Sequence, residues 1–291
     1  MKSVEVVIAG GDRLGELPLW CNRTNKLWWI DVRRPAIQCY DPSSGKHEYF
    51  ALPAGFTVGS YVFRESGGMV LATNKGFFAY TPGGEMEFLV HPESDKSENR
   101  LNDGKCDRKG RYWCGSMLDT RREPQGTMYC LQPDLSYTSH FNEIVIPNSV
   151  SWSPDSKTMY FADTTRQIIS QFDFDLDDGV VSNRRVFKDL TGNRGRPDGS
   201  AIDELGCIWN AEYAGGRVVR YAPDGRVLQE IKLPVTQVTC AGFGGKDLGT
   251  LYITTAAQNL SDEQKAAQPL AGALFAIDVG VKGIPESRFL G

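Results

Sequence analysis

The sequence predicts an all-β protein, a six-bladed β-propeller with four-stranded antiparallel blades. Two observations carry this reading: a strand-like motif recurs six times, and a second strand-like run follows every copy. The first motif appears as KLWWIDV, GMVLAT, RYWCGS, TMYFAD, CIWNAE and TLYITT, at Leu27, Met69, Tyr112, Met159, Ile208 and Leu251. Those positions are separated by 42, 43, 47, 49 and 43 residues. The following runs are AIQCYD, GFFAYT, GTMYCL, QIISQFDF, RVVRYAPDG and GALFAIDV. A segment of alternating character precedes each motif, among them LPLWC, YVFRE, DGKCD, SVSWS, GSAID and QVTCAG. Turn sequences such as DPSSG, TPGGE, SPDSK and APDGR separate the runs. A period of 40–50 residues holding four short strands describes one propeller blade, and six copies fill the chain. The N-terminal SVEVVIAG is a strand without a blade of its own. It is expected to complete the sixth blade and close the ring, which removes an open sheet edge. Only SDEQKAAQ, from Ser261, suggests a short helix. Residues 1–291 are therefore read as a single domain.

Composition agrees and narrows the chemistry. Glycine, 31 of 291 residues, exceeds the usual share of about 7 %, as many tight turns require. The net charge of −4 gives no electrostatic reason to bind nucleic acid. No apolar stretch is long enough to span a membrane, and the N-terminal apolar run is too short for a signal peptide. A cytoplasmic, monomeric protein is expected. Seven cysteines, with no Cys-x-x-Cys pair, read as reduced thiols in a β core. The three histidines, His47, His91 and His140, share no metal-ligand spacing and read as surface residues. No nucleophile elbow, zinc-protease motif or phosphate-binding glycine loop occurs.

In a propeller the innermost strands line the central channel, so the residues that open them converge on one axis. Glu16, Asn102, Asn148 and Asp198 hold that place in blades one, three, four and five. A ring of carboxylate and carboxamide oxygens suits a hard cation such as Ca²⁺, Mg²⁺ or Mn²⁺, and suits zinc less well. Read singly, Pro147-Asn148-Ser149 and Pro197-Asp198-Gly199 are also ordinary turns, and Glu16 a solvated loop charge. Their shared repeat position favours the metal site.

Four segments, LGELPLW, RLNDGKCDRKGRYWCGSM, IPNSVSWSPDSKTMYFADT and RPDGSAID, resemble the gluconolactonase/regucalcin (senescence marker protein) family of metal-dependent sugar lactonases. The resemblance runs over essentially the whole chain. It implies Glu16, Asn148 and Asp198 as ligands of one divalent ion, Ca²⁺ first, with Mn²⁺, Mg²⁺, Zn²⁺ or Fe²⁺ as alternatives. It implies Arg100, Asn102 and Asp119 as substrate-binding residues. Leu17 and Ser149 stand where the family has glycine, and Asp119 where a Glu is common.

The activity expected is hydrolysis of an aldono-1,4- or 1,5-lactone to the aldonic acid in sugar oxidation, with Asp198 both binding the ion and accepting a proton from water. Two alternatives stay open: an esterase or phosphotriesterase on the same fold, and a calcium-binding regulatory propeller without turnover. The residues rank neither the sugar nor the metal.

Overall fold

The computed structural model describes residues 3–291. Six four-stranded antiparallel sheets follow one another along the chain as the blades of a six-bladed β-propeller. Blade one comprises β2 (Gly15–Cys21), β3 (Lys26–Asp31), β4 (Ala36–Asp41) and β5 (Lys46–Ala51). Blade two comprises β6 (Val58–Phe63), β7 (Met69–Thr73), β8 (Gly76–Tyr80) and β9 (Met86–Val90). Blade three has β10 (Asn99–Cys106), β11 (Tyr112–Leu118), β12 (Met128–Leu131) and β13 (Tyr137–Ser139). Blade four has β14 (Pro147–Trp152), β15 (Thr158–Asp163), β16 (Ile168–Asp175) and β17 (Val180–Asp189). Blade five holds β18 (Arg196–Ile202), β19 (Ile208–Tyr213), β20 (Arg217–Tyr221) and β21 (Val227–Lys232). In blade six, β22 (Val238–Gly244), β23 (Thr250–Thr255) and β24 (Leu274–Asp278) take their fourth strand from the N-terminus, β1 (Glu5–Ile8). Val6 pairs with Phe275, so the N-terminal strand closes the last blade as expected. Among the described residues the one α-helix, α1 (Asp262–Ala267), is too short to cross a membrane and starts from a capping box between Ser261 and Gln264.

The burial patterns explain the strand order. The first strand of each blade is almost wholly buried, as VGSYVF in β6 and VTCAGFG in β22 are, whereas outer strands such as KHEYFA in β5 are mostly exposed. The turn between the first two strands recurs with a common anchor. Asp107 accepts from Lys109 N (2.9 Å), Arg111 N (3.2 Å) and the indole Nε1 of Trp113 (2.8 Å). Asp203 accepts from Leu205 N (3.0 Å), Cys207 N (2.9 Å) and Trp209 Nε1 (3.0 Å). Both tryptophans are fully buried, and the aspartate supplies the partner that a buried indole N–H requires. All seven cysteines are free and buried, as a reduced β core requires.

The chain divides into two compact units, one of blades one, five and six, the other of blades two, three and four with the C-terminal segment Glu286–Gly291. In the first, β22 lies beside both β18 and β2. A Cβ on Gly242 would lie 1.9 Å from the Pro18 carbonyl oxygen, so only glycine permits that approach. In the second, β6, β10 and β14 are neighbours, and a Cβ on Gly59 would lie 2.2 Å from the Leu101 carbonyl oxygen.

The C-terminal segment docks on blades two and three of its unit. Phe289 donates from its N–H to Phe63 O (2.8 Å), accepts from Glu65 N (2.8 Å), and buries its ring completely among Val62, Val70 and Tyr112. Glu286 receives Lys105 Nζ at 2.7 Å. Lys105 is buried on β10 two residues from Asp103. Burial pushes the Asp103 carboxyl up to about 6, against the opposing pull of the Val150 N–H and of Lys105. Phe289→Ala is expected to lower the free energy of unfolding by about 3–5 kcal/mol in urea titration, the usual cost of emptying a buried aromatic site. Asp103 holds its proton more tightly folded than unfolded, so its contribution to stability is complete below pH ~4 and is lost as pH rises towards ~6. The stability of Asp103→Asn relative to the parent should therefore climb between pH 4 and 6, by up to about 3 kcal/mol, and level off above pH 7. A difference independent of pH would refute this.

Candidate active site

Each expected site residue stands at the opening of an innermost strand or beside one. At this place every blade shows the same irregularity: the pairing of first and second strands slips by one residue. The slip falls between Glu16 and Leu19, Val58 and Ser60, Leu101 and Gly104, Asn148 and Ser151, Pro197 and Ser200, and Val238 and Cys240. A bulge of this kind bends the strand and re-aims the side chains next to it. Leu17 (φ 53°) and Ser149 (φ 59°), which replace the glycines suggested by the resemblance, both keep the left-handed backbone that glycine favours. The substitutions have not removed the conformation.

The unit of blades two to four gathers four of the six residues. Arg100, buried on β10, donates from Nε to Asp119 Oδ1 (2.7 Å) and from Nη1 to the Leu101 carbonyl (3.2 Å) and to Asn102 Oδ1. Asn102 donates from Nδ2 to Pro147 O at 2.8 Å, which ties it to the residue before Asn148. The backbone carbonyl of Asn102 accepts from Ser60 Oγ, which also meets Tyr112 OH at 2.7 Å. Asp119 follows β11, is a quarter exposed at its side chain, and donates its N–H to Glu98 O (3.1 Å). The loop leading to Arg100 is pinned by buried Glu93, which accepts from Lys96 Nζ (2.9 Å), Asn99 Nδ2 (3.0 Å), Ser116 Oγ (2.9 Å) and Tyr129 OH (3.1 Å). Asn148 is 5 % exposed and donates from Nδ2 to Thr164 Oγ1 at 2.7 Å. The substrate residues suggested by sequence are thus one connected polar cluster adjoining Asn148.

The unit of blades one, five and six carries the other two. Glu16 is half-buried and pairs with Ile30. The loop before it is held by Asp31, which accepts from Arg13 N (2.9 Å) and Leu14 N (3.2 Å). Asp163 does the same before Asn148, accepting from Val145 N (3.0 Å) and Ile146 N (3.3 Å). Asp198 is 5 % exposed, and its carbonyl accepts from Asn210 Nδ2 at 3.1 Å. Among the described residues no three His, Cys, Asp or Glu form a metal-binding group. The expected set is of another kind, two carboxylates and a carboxamide, and its all-oxygen chemistry fits a hard divalent cation.

The histidines serve packing. His47 stacks on Trp29 (centroids 5.1 Å apart), His140 lies against Trp113 (4.3 Å), and His91 Nδ1 accepts from Glu93 N. Burial lowers all three from their ordinary value. Sequence reasoning passed over Asp103, Ser60, Tyr112, Thr164 and Glu93. Asp103 lay in plain view inside the Asn-Asp-Gly-Lys run; the others carry no local signal.

Comparison with known proteins places this architecture. The profile of the SMP-30/Gluconolactonase/LRE-like region matches residues 14–257. The chain is similar to regucalcin of Gallus gallus (38 % identity, covering 100 % of both chains). It is also similar to the 6-deoxy-6-sulfogluconolactonase of Pseudomonas putida (34 % identity, 100 % of this chain and 99 % of the relative). The crystal structure of a calcium-binding protein, regucalcin, from Agrobacterium tumefaciens superimposes with a TM-score of 0.93 at 31 % identity, covering 98 % of this chain and 96 % of the other. With the profile matched from blade one into blade six and the blades reproduced throughout, the chain belongs to the SMP-30/gluconolactonase/LRE-like family.

Proposed function

We propose that the protein hydrolyses an aldono-1,4- or 1,5-lactone to the aldonic acid, as one step of sugar oxidation, with one divalent ion held by Glu16, Asn148 and Asp198. The observation that carries the reading is the connected cluster of Arg100, Asn102 and Asp119 adjoining Asn148, in a chain similar to a relative named as a sulfogluconolactonase. The reading takes residues 1–291 as one closed ring, so that the openings of the innermost strands share an axis. Ca²⁺ is the first candidate, from the oxygen donors and the calcium-binding neighbour, with Mn²⁺, Mg²⁺, Zn²⁺ and Fe²⁺ as alternatives. Seven free thiols support a reducing compartment, the cytoplasm, and a monomer acting on a small molecule is the simplest assembly.

Arg100 and Asp119 offer a fixed donor and a partly exposed acceptor for sugar hydroxyls, and Asn102 is oriented between Arg100 and Pro147. When bound, the ion supplies Lewis acidity at the lactone carbonyl oxygen. Asp198 takes the proton of the water whose oxygen bonds to the carbonyl carbon. The bond from that carbon to the ring oxygen then breaks, and Asp198 returns the proton to the departing oxygen. The reaction consumes one water and leaves hydroxyl and carboxyl groups on one product.

Acid release from a panel of aldonolactones tests this reading. Chelation should abolish hydrolysis and added divalent ion restore it, and Asp198→Ala should cost about 10²–10⁴ in kcat, the usual worth of a general base. Full activity of Asp198→Ala at saturating metal would contradict the mechanism. Asp119→Ala should raise KM about tenfold or more with a smaller change in kcat, since a charged hydrogen-bond acceptor is worth about 1.5–3 kcal/mol. A second reading, a calcium-binding propeller without turnover, is favoured by the structural neighbour being a calcium-binding protein. Tight Ca²⁺ binding with no hydrolysis of any lactone would establish it instead.

A further inference from the structure

We propose that two consecutive residues of β10, Asn102 and Asp103, act as positioning residues, clamping the segment of β14 that carries Asn148 and so holding this ligand in place for the cation. The inference rests on the metal reading above. Asn102 Nδ2 donates to the Pro147 carbonyl at 2.8 Å, and Asp103 Oδ2 accepts from Val150 N at 3.1 Å. Between those two holds lie only Asn148 and Ser149, the latter in the left-handed conformation. Neither bond can run the other way. A peptide carbonyl only accepts and a peptide N–H only donates, so each end of the clamp has one possible sense. The Asn102 carboxamide is fixed at its other end as well, because a guanidinium only donates. Arg100 Nη1 meets Asn102 Oδ1, which leaves Nδ2 for Pro147.

Consecutive residues of a regular strand face opposite sides of its sheet and could not both reach one neighbour. The slip in β10 removes that restriction. Leu101 pairs with Ser116 and Gly104 with Cys114, so Asn102 and Asp103 together stand opposite Gly115 alone. The matching irregularity lies in β14. Asn148 pairs with Ala162 and Ser151 with Tyr160, which leaves Ser149 and Val150 opposite Phe161. The two strands are neighbours, and the bulge of one holds the bulge of the other. Both parts of the clamp are anchored. Asp103 is buried, and Asn102 is tied to Arg100, which Asp119 holds at 2.7 Å. Pro147 is seated against β11, where a Cβ on Gly115 would lie 2.3 Å from the Pro147 Cβ, so glycine there admits the ring. Residues outside the ligand set that fix a ligand's orientation commonly matter about tenfold to a hundredfold in metal affinity.

Two measurements on the chelator-treated full-length protein test the clamp together: amide hydrogen exchange without metal, and calorimetric titration with Ca²⁺ and with Mn²⁺. Asn102→Leu, close in size but without a donor, should speed exchange over residues 148–152 by about tenfold. The same variant should weaken cation binding by about 10- to 100-fold. Asn102→Ala provides both readouts where the leucine variant does not fold. Asn102→Asp still accepts from Arg100 but has no N–H for Pro147, and should speed exchange to the same degree. Asp103→Asn keeps an oxygen for Val150 N and should exchange within about threefold of the parent, whereas Asp103→Ala should match Asn102→Leu. Unchanged cation affinity in Asn102→Leu, with only KM for the lactone raised, overturns the positioning role and leaves Asn102 a substrate residue. Weakened affinity with unchanged exchange overturns it too, since Asn102 would then be a ligand in its own right. Asp103→Asn and Asp103→Ala behaving alike would overturn the part given to Asp103. All three results leave the metal site standing. A parent protein that binds neither ion overturns the metal reading, and this inference with it.

Discussion

In all six blades the innermost strand carries one residue more than its partner can match, close to where the strand opens. A strand in perfect register would turn successive side chains alternately to its two faces and leave no freedom in their aim. The slip breaks that alternation at one place per blade, and the candidate ligands and Asn102 sit there, with Arg100 just before it. Its backbone cost is visible at Leu17 and Ser149, which accept a left-handed conformation worth about 1–2 kcal/mol against a residue with a Cβ. Burial holds them: Leu17 is 2 % exposed and Ser149 1 %. Asp31 and Asp163 hold the approaches, each taking two backbone N–H groups of the incoming loop on one carboxylate.

Two buried charged groups of the blade-three cluster, Arg100 and Glu93, are each compensated by several partners. Arg100 would be expensive to bury alone, but Asp119, Asn102 and a backbone carbonyl compensate its guanidinium. Glu93 is compensated in the same way by a lysine and three neutral donors. Such sites are rigid because removing any one partner strands another, so substrate would meet groups already in place. Histidine plays no part in this economy. Its three copies lie in aromatic or loop packing, and partial burial lowers their affinity for a proton.

Periodic features were legible in the sequence, and pairwise ones were not. The six motifs from KLWWID to TLYITT became the second strands, the runs after them the third, and the spare N-terminal strand joined Phe275 and its neighbours. Those elements announce themselves through repetition and alternation, which any blade must satisfy to bury one strand and expose another. Arg100, Asn102 and Asp119 came from matched motifs, and their mutual contact follows from β10 and β11 being neighbours. The hydrogen bond from Asn148 to Thr164 could not be read, because 16 residues separate the two and only the turn between their strands brings them together. The docking of Phe289 beside Phe63 joins segments more than 200 residues apart. The Asp107–Trp113 and Asp203–Trp209 anchors do share a spacing, DRKGRYW and DELGCIW, and a search for polar repeats beside the aromatic ones would have found them.

The central claim is that Glu16, Asn148 and Asp198 hold one divalent ion. Anomalous diffraction from crystals soaked in Mn²⁺ tests it most directly. The account predicts a single strong peak with the carboxylates of Glu16 and Asp198 and the Oδ1 of Asn148 within about 2.0–2.6 Å, the range of metal–oxygen bonds for such ions. A peak placed elsewhere, for instance at Glu93, or one ligated by the other carboxylates without Asn148, would contradict it.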